Sequence, residues 1–117
     1  MIRGTTQQFR FELPYHYSEL VNLKIAFWQE DNQGTGDYKL PIIKSIENDD
    51  KIDISDDGNA VYVTLNVKET LAFECDKKAY VQLWATTQTN AFGSHAKQFT
   101  VYPMNSVLLE GVVDEER

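Results

Sequence analysis

Alternation of apolar and polar side chains, the pattern of a half-buried β-strand, dominates the first part of the chain. Residues 8–13 follow this period, so that Phe9, Phe11 and Leu13 share one face, and Pro14 ends the strand. The second strand is expected to place four side chains on one face: Val21, Leu23, Ile25 and Phe27. Its opposite face is also partly apolar because of Ala26 and Trp28, which predicts a central position in a sheet.

Residues 30–46 are typical of a loop followed by an edge strand. The loop prediction covers residues 30–37, which contain two glycines and no apolar side chain. Pro41 interrupts the following run from Tyr38 to Ile46, and a proline removes one hydrogen-bond donor from a sheet. This strand is therefore expected to begin after the proline or to lie at an edge, and we favour the edge.

The clearest hairpin lies in the middle of the chain. Ile52 and Ile54 precede the turn-forming residues 56–59, and the next strand is expected to contain four alternating side chains: Val61, Val63, Leu65 and Val67. Residues 68–73 lose the period of two and predict one helical turn, anchored by Leu71 and Phe73. This turn is expected to cross between two sheets.

A second hairpin is expected near the end of the chain. One strand covers residues 80–85, the polar stretch 86–90 leads out of it, and a last strand runs from about Ala96 to Tyr102. Residues 106–113 form a short apolar tail, and the acidic residues 114–117 are expected to be solvated. About seven short strands and no long amphipathic helix predict an all-β fold, an antiparallel, immunoglobulin-like β-sandwich over residues 1–113.

Composition agrees with this interpretation and excludes several functions. A chain of 117 residues suits one domain. Its net charge is −7, and its basic residues are scattered singly along the sequence apart from Lys77 and Lys78. We therefore expect no binding to nucleic acid. No apolar run approaches the length of about 20 residues that spans a bilayer, and the N-terminus lacks the features of a signal peptide, which predicts cytoplasmic synthesis and no membrane partner.

Residues that could support chemistry are few and do not converge. Residues 53–58 resemble the start of a calcium loop, but Thr64 stands where such a loop needs Glu, so we expect a hairpin turn instead. His16 and His95 are expected to be loop or surface residues, and Cys75, the only cysteine, is expected to be an ordinary thiol near a turn. No serine lies in a Gly-x-Ser-x-Gly motif. We therefore predict no catalytic site, no bound metal and no cofactor.

Four aromatic side chains lie on strand faces opposite the main apolar stripes: Trp28, Tyr62, Tyr80 and Trp84. If these side chains are exposed, they favour a surface that binds a partner. Alternatively, they pack under loops or against the tail around residues 107–113. The sequence leaves both interpretations open, and these four residues are the candidate interaction surface.

The opening Met1–Thr6 and the alternating residues 9–14 resemble the start of small uncharacterised proteins encoded by phages and prophages of Gram-positive bacteria. Those proteins usually continue with proline, where this chain has Gln7. The resemblance continues through residues 68–73, 80–85 and 107–112. It implies a phage-encoded domain associated with the virion, especially its tail or neck, and it carries no functional residues over to this chain.

Two functions follow as hypotheses. The first is a non-enzymatic structural or assembly protein of a phage particle, which binds other virion proteins or itself through edge strands or an aromatic patch. The alternative is a carbohydrate-binding module for adhesion to the host, which requires Trp28, Tyr80 or Trp84 to be exposed and coplanar. Both hypotheses place the function on a surface and not in a catalytic cleft.

Overall fold

The computed structural model of the chain describes residues 1–35, 39–46, 52–93 and 96–103. The predicted tail over residues 106–113, the acidic residues 114–117 and His95 lie outside the described residues. In chain order the elements are β1 (Gln7–Glu12), a 3₁₀ turn (Tyr17–Glu19), β2 (Leu20–Gln29), β3 (Ile42–Ser45), β4 (Ile52–Ile54), β5 (Ala60–Leu65), α1 (Val67–Thr70), β6 (Ala79–Thr87), β7 (Ala91–Gly93) and β8 (Lys97–Phe99).

The strands form two antiparallel sheets, which confirms the predicted all-β sandwich. The three-stranded sheet has the order β1-β5-β4. The five-stranded sheet has the order β3-β2-β6-β7, and β8 also pairs with β6. Within the described residues, no strand pairs with the free edge of β1.

The inner faces of the two sheets share one apolar core. Phe27 of β2 is fully buried, and its ring centroid lies 5.1 Å from that of Phe9 on β1. Val61, Val63 and Leu65 of β5 are also fully buried. The alternation predicted for these strands is thus the alternation between core and solvent, and burial of the apolar faces holds the two sheets together.

Several predicted elements lie where the sequence places them. The strand β3 begins directly after Pro41, and among the residues that the structure describes it pairs only with β2, at the edge of the sheet. The strand β2 is central between β3 and β6. The helical turn α1 connects β5 to β6 and therefore crosses between the sheets. The fully buried Phe73 anchors this crossing, as expected.

Two apolar residues do not occupy the predicted face. Val21 is 59% exposed, because the pairing of β2 with β6 shifts register between Leu20 and Asn22 and this β-bulge turns Val21 outward. Val67 is also exposed, because β5 ends at Leu65 and Asn66 caps α1. Val21 and Val67 were therefore predicted wrongly to continue the inward-facing stripes.

The last hairpin also differs in detail from the prediction. The strand β6 continues through Thr87 into the polar stretch, and β7 begins at Ala91, before the predicted start at Ala96. The final strand is shorter than expected and ends at Phe99. The polar stretch therefore supplies two residues to β6 and only a short turn, which Thr87 closes by donating its backbone N–H to the carbonyl of Asn90 at 2.8 Å.

The N-terminal hexapeptide is bound to the crossing segment. Arg3 donates from Nε to the carbonyl of Phe73 at 2.7 Å and from Nη2 to the carbonyl of Leu71 at 3.1 Å. The backbone N–H of Gly4 donates to Thr70 Oγ1 at 3.0 Å, and Thr70 Oγ1 donates to the carbonyl of Thr5 at 2.7 Å. The two bonds from Arg3 satisfy backbone carbonyl groups that follow the end of α1. The N-terminal hexapeptide thus has a structural role.

A buried amide holds the other side of the same segment. Gln29 is 4% exposed, and its Nε2 donates to the carbonyl of Glu74 at 2.6 Å and to that of Lys77 at 3.3 Å. Its Oε1 accepts from the backbone N–H of Glu74 at 2.8 Å and from Asn32 Nδ2 at 2.6 Å. One side chain at the end of β2 therefore satisfies four polar groups.

A buried ion pair joins β3 to α1. Lys44 Nζ lies 2.6 Å from Glu69 Oε2, and the two side chains are 16% and 7% exposed. Glu69 also completes a capping box, because its Oε1 accepts from the backbone N–H of Asn66 at 2.9 Å and Asn66 Oδ1 accepts from the N–H of Glu69 at 2.9 Å. The helical turn is thereby attached to the edge of the five-stranded sheet.

Candidate functional site

Three of the four candidate aromatic residues share the outer face of the five-stranded sheet. Strand pairing sets Trp28 of β2 opposite Tyr80 of β6, and Lys24 of β2 opposite Trp84 of β6. Ala26 lies between these pairs and is opposite Ile43 of β3. We call this surface the aromatic face and define it by Lys24, Trp28, Ile43, Tyr80 and Trp84.

The Trp28 and Tyr80 rings form a stacked pair on the aromatic face. Their centroids lie 5.6 Å apart with an angle of 21° between the ring planes, and both side chains are half-buried. The Tyr80 hydroxyl donates to Glu30 Oε1 at 2.7 Å, and this hydrogen bond raises the pKa of Tyr80 above its ordinary value. The stack and the hydrogen bond hold Tyr80 in one orientation, which lowers the entropy that binding would cost.

Trp84 is the most prominent aromatic side chain of this face. It is 39% exposed, and the Lys24 ammonium lies 5.6 Å from the centroid of its ring, within reach of a cation–π interaction. A depression of about 270 Å³ beside it is lined by Asn22, Lys24, Trp84, Ala85 and Thr86. The surface around Trp84 therefore has an aromatic centre and mostly polar neighbours.

Ile43 belongs to the same face, although it is not among the four aromatic candidates that the sequence predicts. Its side chain is 44% exposed, beside the nearly buried Ala26. A detectable signal exists, because Ile42 and Ile43 are adjacent in a strand and must point to opposite faces. The sequence does not decide which isoleucine is buried; the pairing with β2 buries Ile42 and exposes Ile43.

Tyr62 does not belong to the aromatic face. It lies on β5 in the three-stranded sheet, opposite Arg10 of β1 and Asp53 of β4. A hydrogen bond between the Arg10 and Tyr62 side chains raises the pKa of Arg10 above its ordinary value. Tyr62 therefore lies on the other side of the sandwich, between the charged residues Arg10 and Asp53. The four candidate aromatic residues do not form one surface.

The segment that resembles a calcium loop is the turn between β4 and β5. Asp57 Oδ1 accepts from Ser55 Oγ at 2.7 Å and from the backbone N–H of Asn59 at 3.0 Å. The hydrogen bond from Ser55, followed by that from Asn59, lowers the pKa of Asp57 from its ordinary value. The carboxylate thus stabilises the hairpin turn, as the strand pattern on both sides indicates.

We expect Asp57→Asn to change the pH dependence of thermal stability. The folded-state pKa of Asp57 is depressed, so its ionised form contributes stability above the ordinary value of 3.8, and this is lost as the pH falls through the folded pKa. In calorimetry from about pH 6 downward, the Tm advantage of the wild type over the variant should shrink in acid. Asp56→Asn controls for the loss of one negative charge. An advantage that grows in acid would contradict the assignment.

The remaining residues that could support chemistry, His16 and Cys75, lie in loops. His16 is an exposed loop residue, and its Nδ1 accepts from the backbone N–H of Ser18 at 3.2 Å. Its ring packs on Gly58, where a Cβ would lie 2.1 Å from Nε2. Cys75 is half-buried and precedes a turn at Asp76, which has a positive φ of 66°. Both residues therefore have the ordinary loop positions that the sequence predicts.

The described residues contain neither a cluster of metal-ligating side chains nor a helix suited to span a membrane. Across residues 1–35, 39–46, 52–93 and 96–103, no three histidine, cysteine, aspartate or glutamate side chains group closely enough to hold a metal ion. Over the same ranges, no helix has the length and apolar character that a membrane span requires.

Comparison with known proteins adds no relative. No protein-family model matches the chain, no curated protein matches it, and no solved structure matches it.

Proposed function

We propose that this domain is a non-enzymatic structural or assembly component of a phage particle that binds other virion proteins or copies of itself through the aromatic face. One observation carries the proposal. Trp84 and Ile43 are 39% and 44% exposed on the same face of one sheet, beside the ordered Trp28–Tyr80 stack. Tryptophan and tyrosine are the residues that most often dominate binding energy at protein interfaces.

The strand edges give further support to protein–protein contacts. The strand β1 has six residues without proline or glycine, and within the described part of the chain it pairs on one side only, with β5. Its free edge presents backbone donors and acceptors to which an extended segment of another chain can add. Phe9 and Phe11 on this edge strand are only half-buried, so an added strand would cover apolar surface as well.

The geometry of the aromatic face gives less support to carbohydrate binding there. A sugar ring packs on a free aromatic face, whereas Trp28 and Tyr80 stack against each other and the Lys24 ammonium lies over the Trp84 ring. Binding of a saccharide to this face stays an alternative. A glycan array distinguishes the two, because a protein interface predicts no signal that depends on Trp84.

Trp84→Ala is expected to weaken self-association or partner binding by about 2 kcal/mol, which is roughly thirtyfold. The physical reason is the loss of the largest exposed apolar side chain of the face. The measurement is the solution mass by light scattering over a concentration series, together with mass spectrometry of purified phage particles for the presence of the chain. Tyr62→Ala, on the other sheet, is the matched control.

The comparison of Trp84→Ala with Tyr62→Ala distinguishes support for the proposal from its failure. An oligomer that dissociates in Trp84→Ala and persists in Tyr62→Ala supports the proposal, as does incorporation into particles that the Trp84 variant loses. A wild-type chain that is strictly monomeric and absent from purified particles contradicts it. Trp84 is exposed, so a circular-dichroism melt of the variant should stay close to that of the wild type.

A further inference from the structure

A second concave surface lies at one end of the sandwich, where the chain passes from β1 to β2 and where β6 turns into β7. It has a volume of about 350 Å³ and is lined by Tyr15, residues 18–21 and residues 87–90. We call it the loop-end depression. Small-molecule sites commonly measure about 300–1,000 Å³, so its volume lies at the lower end of that range. It shares no residue with the aromatic face.

Apolar side chains contribute to the lining of the loop-end depression. The β-bulge at the start of β2 turns Val21 outward, and this side chain is 59% exposed. Tyr15 is half-buried, with its ring centroid 5.5 Å from that of Phe92 on β7. A bulge that re-aims one side chain is a frequent feature beside binding sites. Here it places an aliphatic group among lining residues that are mostly polar.

Polar side chains surround these apolar groups. Glu19, Gln88 and Thr89 are exposed, and their side chains make no hydrogen bond or ion pair within the described part of the chain. Together they offer a carboxylate acceptor, an amide that both donates and accepts, and a hydroxyl that does the same. These groups can bind a ligand without first breaking a bond inside the protein.

Hydrogen bonds hold both walls of the loop-end depression in place. On one side, the backbone N–H of Tyr17 donates to the carbonyl of Gly58 at 2.8 Å, which ties this loop to the β4–β5 turn. On the other side, the backbone N–H of Asn90 donates to Thr87 Oγ1 at 3.1 Å. A preformed site loses less conformational entropy when it binds.

We infer that the loop-end depression is a binding site for a neutral saccharide. A sugar presents C–H patches that pack on Val21 and Tyr15, and its hydroxyl groups match the mixed donors and acceptors of Glu19 and Gln88. Among the described residues that line it there is no lysine or arginine, which disfavours phosphorylated or carboxylated ligands.

The experiment uses the full chain. An array of immobilised neutral mono- to tetrasaccharides identifies a ligand, and its titration into ¹⁵N-labelled protein locates the site by amide shifts. The wild type should bind, with shifts concentrated in residues 15–21 and 87–90. Glu19→Gln keeps the shape and removes the charge, and should weaken binding about tenfold. Val21→Ser should also weaken it. The controls are Trp84→Ala and Glu12→Gln, the second of which changes an exposed carboxylate on β1. Both variants should bind the saccharide as the wild type does.

Three results would overturn the inference. They are an array without signal above background, binding that Glu19→Gln and Val21→Ser leave unchanged, and binding that Trp84→Ala abolishes while Glu19→Gln does not. The last result would place the saccharide on the aromatic face. Glu19 and Val21 are exposed, so their variants are expected to fold. Light scattering tests the aromatic face separately, and therefore the two proposals can fail independently.

Discussion

Gln29→Leu is expected to lower the free energy of unfolding by about 3 kcal/mol, because the buried amide satisfies groups that leucine cannot bind. The backbone N–H and carbonyl of Glu74 and the side chain of Asn32 would each lose a hydrogen bond. Leucine has a similar volume, so the loss reports unsatisfied polar groups and not a cavity. Urea denaturation at constant pH measures the change.

Gln8→Leu is the matched control for this prediction. Gln8 is an exposed residue of β1, so the same chemical change there should alter the free energy of unfolding by less than about 0.5 kcal/mol. Hydrogen exchange adds a local readout, since the amide proton of Glu74 should lose protection in Gln29→Leu. Equal losses in the two variants would show that the Gln29 network contributes little to stability.

Glu69→Ala is expected to lower the free energy of unfolding by about 3 kcal/mol. The substitution leaves the Lys44 ammonium, only 16% exposed, without its counter-charge, and it removes half of the capping box at α1. Lys44→Met should cost less, because Glu69 keeps its hydrogen bond from Asn66. Thermal unfolding of Glu69→Gln, Lys44→Met and the double variant yields the coupling energy of the pair.

The control for the ion pair is the exposed pair on β1. Arg10 Nη1 lies 3.8 Å from Glu12 Oε1, and the two side chains are 51% and 78% exposed. Glu12→Ala should therefore change the free energy of unfolding by less than about 0.5 kcal/mol. A coupling energy near zero between positions 44 and 69 would mean that water screens the pair despite its burial. In that case the cost of Glu69→Ala would come from the cap alone.

Local patterns predicted most of the strands correctly. Alternation in a strand depends only on the two-residue period of the side chains, so the inward faces of β1, β2 and β5 were visible without knowledge of their neighbours. The Asp-rich turn before β5 and the helical turn before Phe73 also follow from short-range chemistry. Pro41 predicted an edge strand because a proline cannot donate a hydrogen bond.

The errors occur where a distant pairing overrides the local pattern. Val21 continues the apolar alternation of β2, yet the register shift against β6 turns it outward. Val67 continues the alternation of β5, yet the capping box between Asn66 and Glu69 ends the strand. The role of Arg3 was equally invisible, because its partners at residues 71 and 73 lie far along the chain.

The sequence by itself determined the all-β class, the approximate positions of the strands and the presence of aromatic residues on faces away from the core. Only the tertiary structure decided which of those aromatics share a surface. Strand register joins Trp28 to Tyr80 and Lys24 to Trp84, while Tyr62 lies on the other sheet. The reason is physical: the period of a strand fixes alternate faces locally, whereas sheet membership and register depend on contacts between residues distant in sequence.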